Sequence, residues 1–264
     1  MSFFCYFYNM KTEELHISNI RGLKLAARLY IPDSAIPRYY SVFAHCFTCS
    51  KELKAIGNIA ETMTSHSIAL MSFDMTGIGE SEGNFSDTNL TTQIEDILSV
   101  SKFMESNYRT PRLLIGHSIG GCAVIFAALK LSYVNAVCTI ASPAEPSSLS
   151  KKLNKTRQKA LAEGYAETEI GGKKYTLRDS FFKDIENYNM ASALKKLNRP
   201  YLIMHSPSDN YTDIRNAGII FGYAKHPKSF ICLDGIDHLM LKPHDAKYIG
   251  NIIACWAGRY IKNN

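Results

Sequence analysis

Short apolar runs alternate along this chain with stretches whose apolar residues recur every three or four positions. Runs at 40–44 (Tyr-Ser-Val-Phe-Ala), Ile68–Phe73, 112–115, 135–140, Tyr201–His205 and 229–233 predict strands. A looser alternation over 23–31, closed by Pro32, predicts another. Between them, 51–65 places apolar residues at 53, 56, 59, 60 and 63, the spacing of a helix face. Residues 90–105, 119–131, 213–224 and 245–260 read the same way. Strands alternating with helices imply βαβ units and a mainly parallel sheet covered on both faces, an α/β architecture. Residues 145–199 break this rhythm: they are polar and basic and hold no strand-like apolar run. They are expected to form a helical cap inserted within a single domain spanning 1–264.

Composition narrows the class. A chain of 264 residues buries a core without disulfide or metal staples, and 46% apolar residues with 20% charged excludes a disordered chain. No apolar run reaches the roughly 18 residues of a membrane span. Residues 3–8 are aromatic but lack a basic front and a small-residue cleavage site, so neither a signal peptide nor an anchor is expected. Met10 begins a more ordinary opening, and the first nine residues are expected to be an upstream-start extension.

The net charge of +6 is concentrated: residues 151–200 hold 12 Lys/Arg against 6 Asp/Glu, and the remainder balances. Nucleic acid is therefore not indicated as a partner. The seven cysteines, at 5, 46, 49, 122, 138, 232 and 255, are odd in number and scattered, several inside apolar runs. They fit buried thiols in a reducing cytoplasm, the expected location, better than a disulfide framework.

Gly116-His117-Ser118-Ile119-Gly120 carries the strongest chemical signal. In G-x-S-x-G the serine sits on a sharp strand-to-helix turn, a nucleophile elbow, and here a predicted strand precedes it and a helix follows. A serine hydroxyl needs a base, and the base needs an orienting acid, in the chain order Ser, acid, His. His238 follows the run 229–233 through Asp234-Gly235-Ile236-Asp237, and Asp209 follows Tyr201–His205. Asp213, Asp234 and Asp237 are near alternatives for the acid, but only the Asp209 loop follows the penultimate strand. His205 precedes the acid and is out of order. Two N–H donors are needed for an oxyanion hole, and Ile119 and Phe47 are the candidates, the second in the loop after 40–44.

That loop also contains Cys46-Phe47-Thr48-Cys49, a C-x-x-C ahead of a helix. It admits a rival reading as a thiol redox centre and, with His45, the start of a zinc site. No second Cys/His pair at ligand spacing follows, so two small packed thiols are expected and no metal site is assigned. The glycine-rich Phe73–Ser81 segment lacks a dinucleotide or phosphate-loop pattern and reads as a turn passing near the site.

Together, His45-Cys46-Phe47-Thr48-Cys49-Ser50-Lys51, the segments 73–83, 116–121, 205–209 and 224–229, and Asp234-Gly235-Ile236-Asp237-His238 resemble the α/β-hydrolase family. More narrowly, they resemble the bacterial hydrolase domain often fused to an OsmC-like domain, over about 11–260. The resemblance implies the α/β-hydrolase fold and carries the triad onto Ser118, Asp209 and His238. No OsmC-like partner domain is expected within this chain. The expectation is a serine hydrolase of the carboxylesterase type (EC 3.1.1), acting on small esters without metal or organic cofactor. A peptidase or thioesterase with the same triad, and a redox protein using Cys46 and Cys49, are the alternatives.

Overall fold

The fully apolar runs take the middle of the sheet. The computed structural model describes residues 10–33 and 35–262, so the aromatic stretch 3–8 and Cys5 lie outside the described residues. Eight strands form one sheet: β1 (Met10–Ser18), β2 (Lys24–Pro32), β3 (Tyr39–Ala44), β4 (Ile68–Phe73), β5 (Pro111–His117), β6 (Ala136–Ile140), β9 (Tyr201–His205) and β10 (Lys228–Cys232). Their order is β1-β2-β4-β3-β5-β6-β9-β10. From β4 to β10 every pairing is parallel, whereas β2 runs antiparallel to both β1 and β4. Strands β3, β4, β6 and β9 are buried at every residue, as strands covered on both faces must be. The first strand is an expectation the pattern did not supply. Its Lys11-Thr12-Glu13-Glu14 start is exposed, because an edge strand needs no apolar run.

Helices α1 (Lys54–Ser65) and α9 (Pro243–Ala257) bury Ile56, Ile59, Ile249 and Ile253 against one face. On the other face lie α2 (Leu90–Asn107), α3 (Ile119–Lys130), α7 (Met190–Leu197) and α8 (Arg215–Tyr223), with Ile97, Val124, Leu194 and Ile220 at their contacts.

The segment 145–199 differs from a purely helical cap in two ways. Besides α4 (Ser148–Lys152), α5 (Asn154–Glu163) and α6 (Asp179–Ile185), it holds a hairpin of β7 (Tyr165–Ile170) and β8 (Lys173–Arg178). Gly171 and Gly172, with φ of 59° and 77°, make the tight connection, and the buried cross-strand pair Ala166 and Leu177 anchors it. One buried residue per strand is too weak an apolar signal to read as a strand. Its last helix, α7, packs on α3 and belongs to the layer over the sheet rather than to the cap.

Candidate active site

Five strands deliver the candidate chemistry to one edge of the sheet, the carboxyl ends of β3, β4, β5, β9 and β10. Ser118 follows β5 with φ 56° and ψ −124°, a conformation that L-residues rarely hold and that costs about 1–3 kcal/mol. Its N–H is anchored on Ile140 O at 2.9 Å, at the end of β6. The flanking glycines are required by close approach. A Cβ at Gly116 would strike the backbone of Gly120 and Gly121, and one at Gly120 would strike the carbonyl oxygens of Ala44 and His45. Glycine at 120 thus lets the start of α3 press directly on the loop after β3. Ile119 is the first residue of α3, where N–H groups lack an intrahelical acceptor and the helix dipole favours negative charge.

Asp209 and His238 meet. His238 Nδ1–H donates to Asp209 Oδ2 at 2.7 Å, and both residues are buried. Asp209 Oδ1 accepts the N–H groups of Tyr211 and Thr212, each at 2.8 Å. Burial alone would raise this carboxyl, but the bonds from His238, Thr212 and Tyr211 outweigh it and hold the group below its ordinary value. Asp213 instead pairs with the exposed Arg215, and Asp237 caps its own loop by accepting from the N–H of Leu239. Among the described residues no hydrogen bond joins Ser118 Oγ to His238, a contact that in such sites tightens when substrate arrives.

Two further histidines hold the frame, and the order of residues along the chain hid both. His205, at the end of β9, donates from Nε2–H to Thr212 O at 2.7 Å and so fixes the acid loop. His117 donates from Nε2–H to the carbonyl oxygen of His238 at 2.8 Å, and the two rings lie 4.9 Å apart. Burial and the nearby His238 push His117 down to about 3.

The loop after β3 is tied from several sides. His45 Nδ1–H donates to Cys46 O at 2.7 Å while its Nε2 accepts the N–H of Met75 at 3.2 Å. Asp74 accepts the N–H groups of Lys51 and Glu80, so the glycine-rich turn after β4 clamps this loop rather than a nucleotide. Phe47 is wedged between Phe85 and Phe181, with ring centroids 5.1 and 5.0 Å away. Cys46 and Cys49 are joined in a disulfide, which corrects the expectation of two packed thiols. The turn bond from Cys49 N–H to Cys46 O, at 3.3 Å, closes the four-residue ring that brings the sulfurs together. Cys122, Cys138, Cys232 and Cys255 are free.

Comparison with known proteins places this arrangement in context. The model of the family described as serine aminopeptidase, S33, matches residues 42–188. The esterase domain of a Rhodothermus marinus protein is 36% identical, with 96% of this chain and 99% of that chain covered and a TM-score of 0.77. Est1E of Butyrivibrio proteoclasticus, solved with ferulic acid bound, shares the fold at a TM-score of 0.75 and 20% identity, over 94% of this chain and 99% of its own. The palmitoyl-protein thioesterase ABHD10, mitochondrial, of Homo sapiens is 25% identical over 162 residues, 58% of this chain and 51% of its own length. The chain thus spans about half the length of the curated relatives it matches.

Proposed function

The chain belongs to the serine aminopeptidase S33 family of hydrolases and has the α/β-hydrolase fold, and from that premise we propose that it is a serine hydrolase cleaving small carboxylic esters through an acyl-enzyme on Ser118. The observation that carries this reading is the buried Asp209–His238 pair at 2.7 Å, docked through His117 onto the elbow that presents Ser118. His238, oriented by Asp209, takes the proton of Ser118 as Oγ attacks the carbonyl carbon. The N–H groups of Ile119 and Phe47 receive the oxyanion, a pair of contacts in which each donor is worth about 3–4 kcal/mol. His238 then protonates the departing alkoxide, and water repeats the sequence on the acyl group. No step calls for a metal or organic cofactor. Small esters rather than macromolecules are the proposed partners. Cytoplasm is the proposed location, and no described helix is long and apolar enough to cross a membrane.

A thioester substrate is the second reading, favoured by the palmitoyl-protein thioesterase relatives. A leaving thiolate needs less protonation than an alkoxide, so the same residues serve. A peptidase reading has the family description behind it but no feature of the site that favours an amine leaving group. A thiol oxidoreductase reading would use Cys46 and Cys49 alone and leave the Asp209–His238 pair and the Ser118 elbow without a role.

Fluorophosphonate labelling of wild type beside Ser118→Ala tests the reading, with p-nitrophenyl acetate, butyrate and octanoate and a matched acyl thioester turned over in parallel. Labelling and turnover lost together in the variant are expected. A folded wild type that neither labels nor turns over any of these substrates overturns the proposal, and a marked preference for the thioester selects the second reading.

A further inference from the structure

The C-x-x-C beside the elbow is not used by the hydrolytic steps, yet it has a third partner that the sequence spacing concealed. A ring nitrogen of His117 and the sulfurs of Cys46 and Cys49 lie within 4.8 Å of one another, although 68 residues separate His117 from Cys49 in the chain. The His117 ring has only one nitrogen available. Its Nε2 faces the carbonyl oxygen of His238, which can only accept, so the hydrogen of the neutral ring is on Nε2. Nδ1 then carries a bare lone pair, and it is buried with no hydrogen-bond partner. An unsatisfied buried acceptor costs about 1–3 kcal/mol, so an atom left this way in a ring that borders two sulfurs calls for an explanation. His45, next to Cys46 in sequence, is not the ligand, because both of its ring nitrogens are engaged.

We propose that Cys46, Cys49 and His117 form a binding site for a thiophilic divalent cation of the zinc class, open when the two cysteines are thiols and closed when they are joined as the disulfide. The donor set suits such an ion: sulfurs two residues apart in C-x-x-C and an imidazole whose far N–H is held by a backbone carbonyl, the usual outer support of a metal-bound histidine. In tetrahedral coordination, with Zn–S about 2.3 Å and Zn–N about 2.0 Å, ligand atoms stand about 3.5–3.8 Å apart. Cleaving the sulfur–sulfur bond frees the two sulfurs to move apart toward that spacing, with a His117 ring nitrogen within 4.8 Å of both. Two thiolates and a neutral imidazole cancel the charge of the ion, as a mostly buried site requires. The half-buried Cys49 gives it an entry, and a water completes the fourth position.

The chemistry balances in two steps. A trialkylphosphine and one water reduce the disulfide to two thiols and leave the phosphine oxide. The divalent ion then displaces both thiol protons and binds the two thiolates and Nδ1. Because Phe47 lies between the two cysteines, the disulfide closes the loop after β3 on itself, whereas the ion would also tie that loop to His117 at the elbow.

The test uses the whole chain, reduced with a trialkylphosphine, freed of reductant under anaerobic conditions and titrated with Co²⁺ alone as the spectroscopic stand-in for Zn²⁺. One Co²⁺ per chain is expected, with thiolate-to-cobalt charge-transfer absorption and the strong visible bands of four-coordinate cobalt, both lost on adding one equivalent of Zn²⁺. The disulfide form shows neither until reduced. Cys46→Ser/Cys49→Ser loses the charge-transfer band, and His117→Gln keeps it while binding at least about tenfold more weakly. Circular dichroism confirms that each sample is folded. A folded, reduced wild type without the band, or an equal band in the double-serine variant, overturns the site. Fluorophosphonate labelling of the same samples is read separately, so a failure of the hydrolase reading leaves the metal result intact.

Discussion

His117 Nε2–H donates to the backbone oxygen of His238 at 2.8 Å, so the residue before the candidate nucleophile carries the loop of the candidate base. The base is thereby located by two bonds, one through its backbone to the elbow and one through Nδ1 to Asp209. Asp209→Asn keeps the shape but presents the wrong partner to Nδ1, favouring the tautomer that cannot accept the serine proton. Turnover of p-nitrophenyl butyrate is expected to drop about 10³- to 10⁴-fold in kcat with little change in KM. An equal kcat in the folded variant would remove Asp209 from the mechanism.

Acid should weaken the fold earlier than carboxylate titration alone would. Burial holds His45, His117 and His205 below the ordinary imidazole value, His117 at about 3. Below about pH 6.5 the unfolded chain takes up protons that the folded core refuses, so stability falls as pH drops toward the folded values. Asp209 adds to this at lower pH, because its depressed carboxyl stabilises above the unfolded value and loses that contribution as pH falls through the folded one. The Tm is expected to decline from about pH 6.5 downward, and His205→Gln to show a shallower slope over that range. A wild-type Tm that stays flat to about pH 5 would show that the unfolded imidazoles do not drive the effect.

The parallel strands were legible because burial on both faces forces continuous apolar runs, and Tyr201–His205 falls where its run predicts. Strand β1 was not, because its exposed Lys-Thr-Glu-Glu start pairs through backbone with β2 and needs no apolar pattern. The cap hairpin had one usable signal, the Gly171-Gly172 pair between alternating runs, weakened by its basic flanks. Ser118, Asp209 and His238 stood out because each follows a strand. The supporting roles of His117 and His205 did not, since they depend on which loops the sheet order 5-6-9-10 brings together. The histidine beside the C-x-x-C was hidden for the same reason, since that spacing names no residue from another strand; the disulfide itself is local, and the sequence admitted it only through the rival redox reading.

The elbow glycines and a helix glycine should respond oppositely to the same methyl. At Gly120 a Cβ meets the carbonyl oxygens of Ala44, at the end of β3, and His45, so Gly120→Ala must push α3 away from that strand end. A loss of at least about 2 kcal/mol in stability, typical of overpacking against backbone, is expected together with a large loss of turnover. At Gly57, within α1, nothing lies within 4 Å of the added atom. Gly57→Ala is expected to gain about 0.5–1 kcal/mol through helix propensity, with activity unchanged. Denaturant unfolding of both variants checks the pair, and a tolerated Gly120→Ala would refute the tight docking.

The segment 145–199 touches the proposed oxyanion loop through an aromatic ring. Phe181, on α6 and 2% exposed, packs with its ring tilted 38° and centred 5.0 Å from that of Phe47, whose own N–H is the proposed second donor. Removing the ring in Phe181→Ala leaves a cavity beside Phe47, and truncating a buried Phe costs about 3–5 kcal/mol. If the cap merely covers the core, the Tm falls and kcat per folded molecule is untouched. If it holds Phe47 in place, kcat also drops several-fold at nearly constant KM, because the oxyanion contact is made in the transition state and not with bound substrate. The tilted ring contacts favour the second outcome, since Phe47 is gripped by Phe181 and Phe85 together and losing one frees the loop to tilt. Phe181→Leu, which refills most of the volume, is expected to restore both quantities in parallel. A Leu variant that recovers Tm but not kcat would assign the effect to the aromatic contact itself.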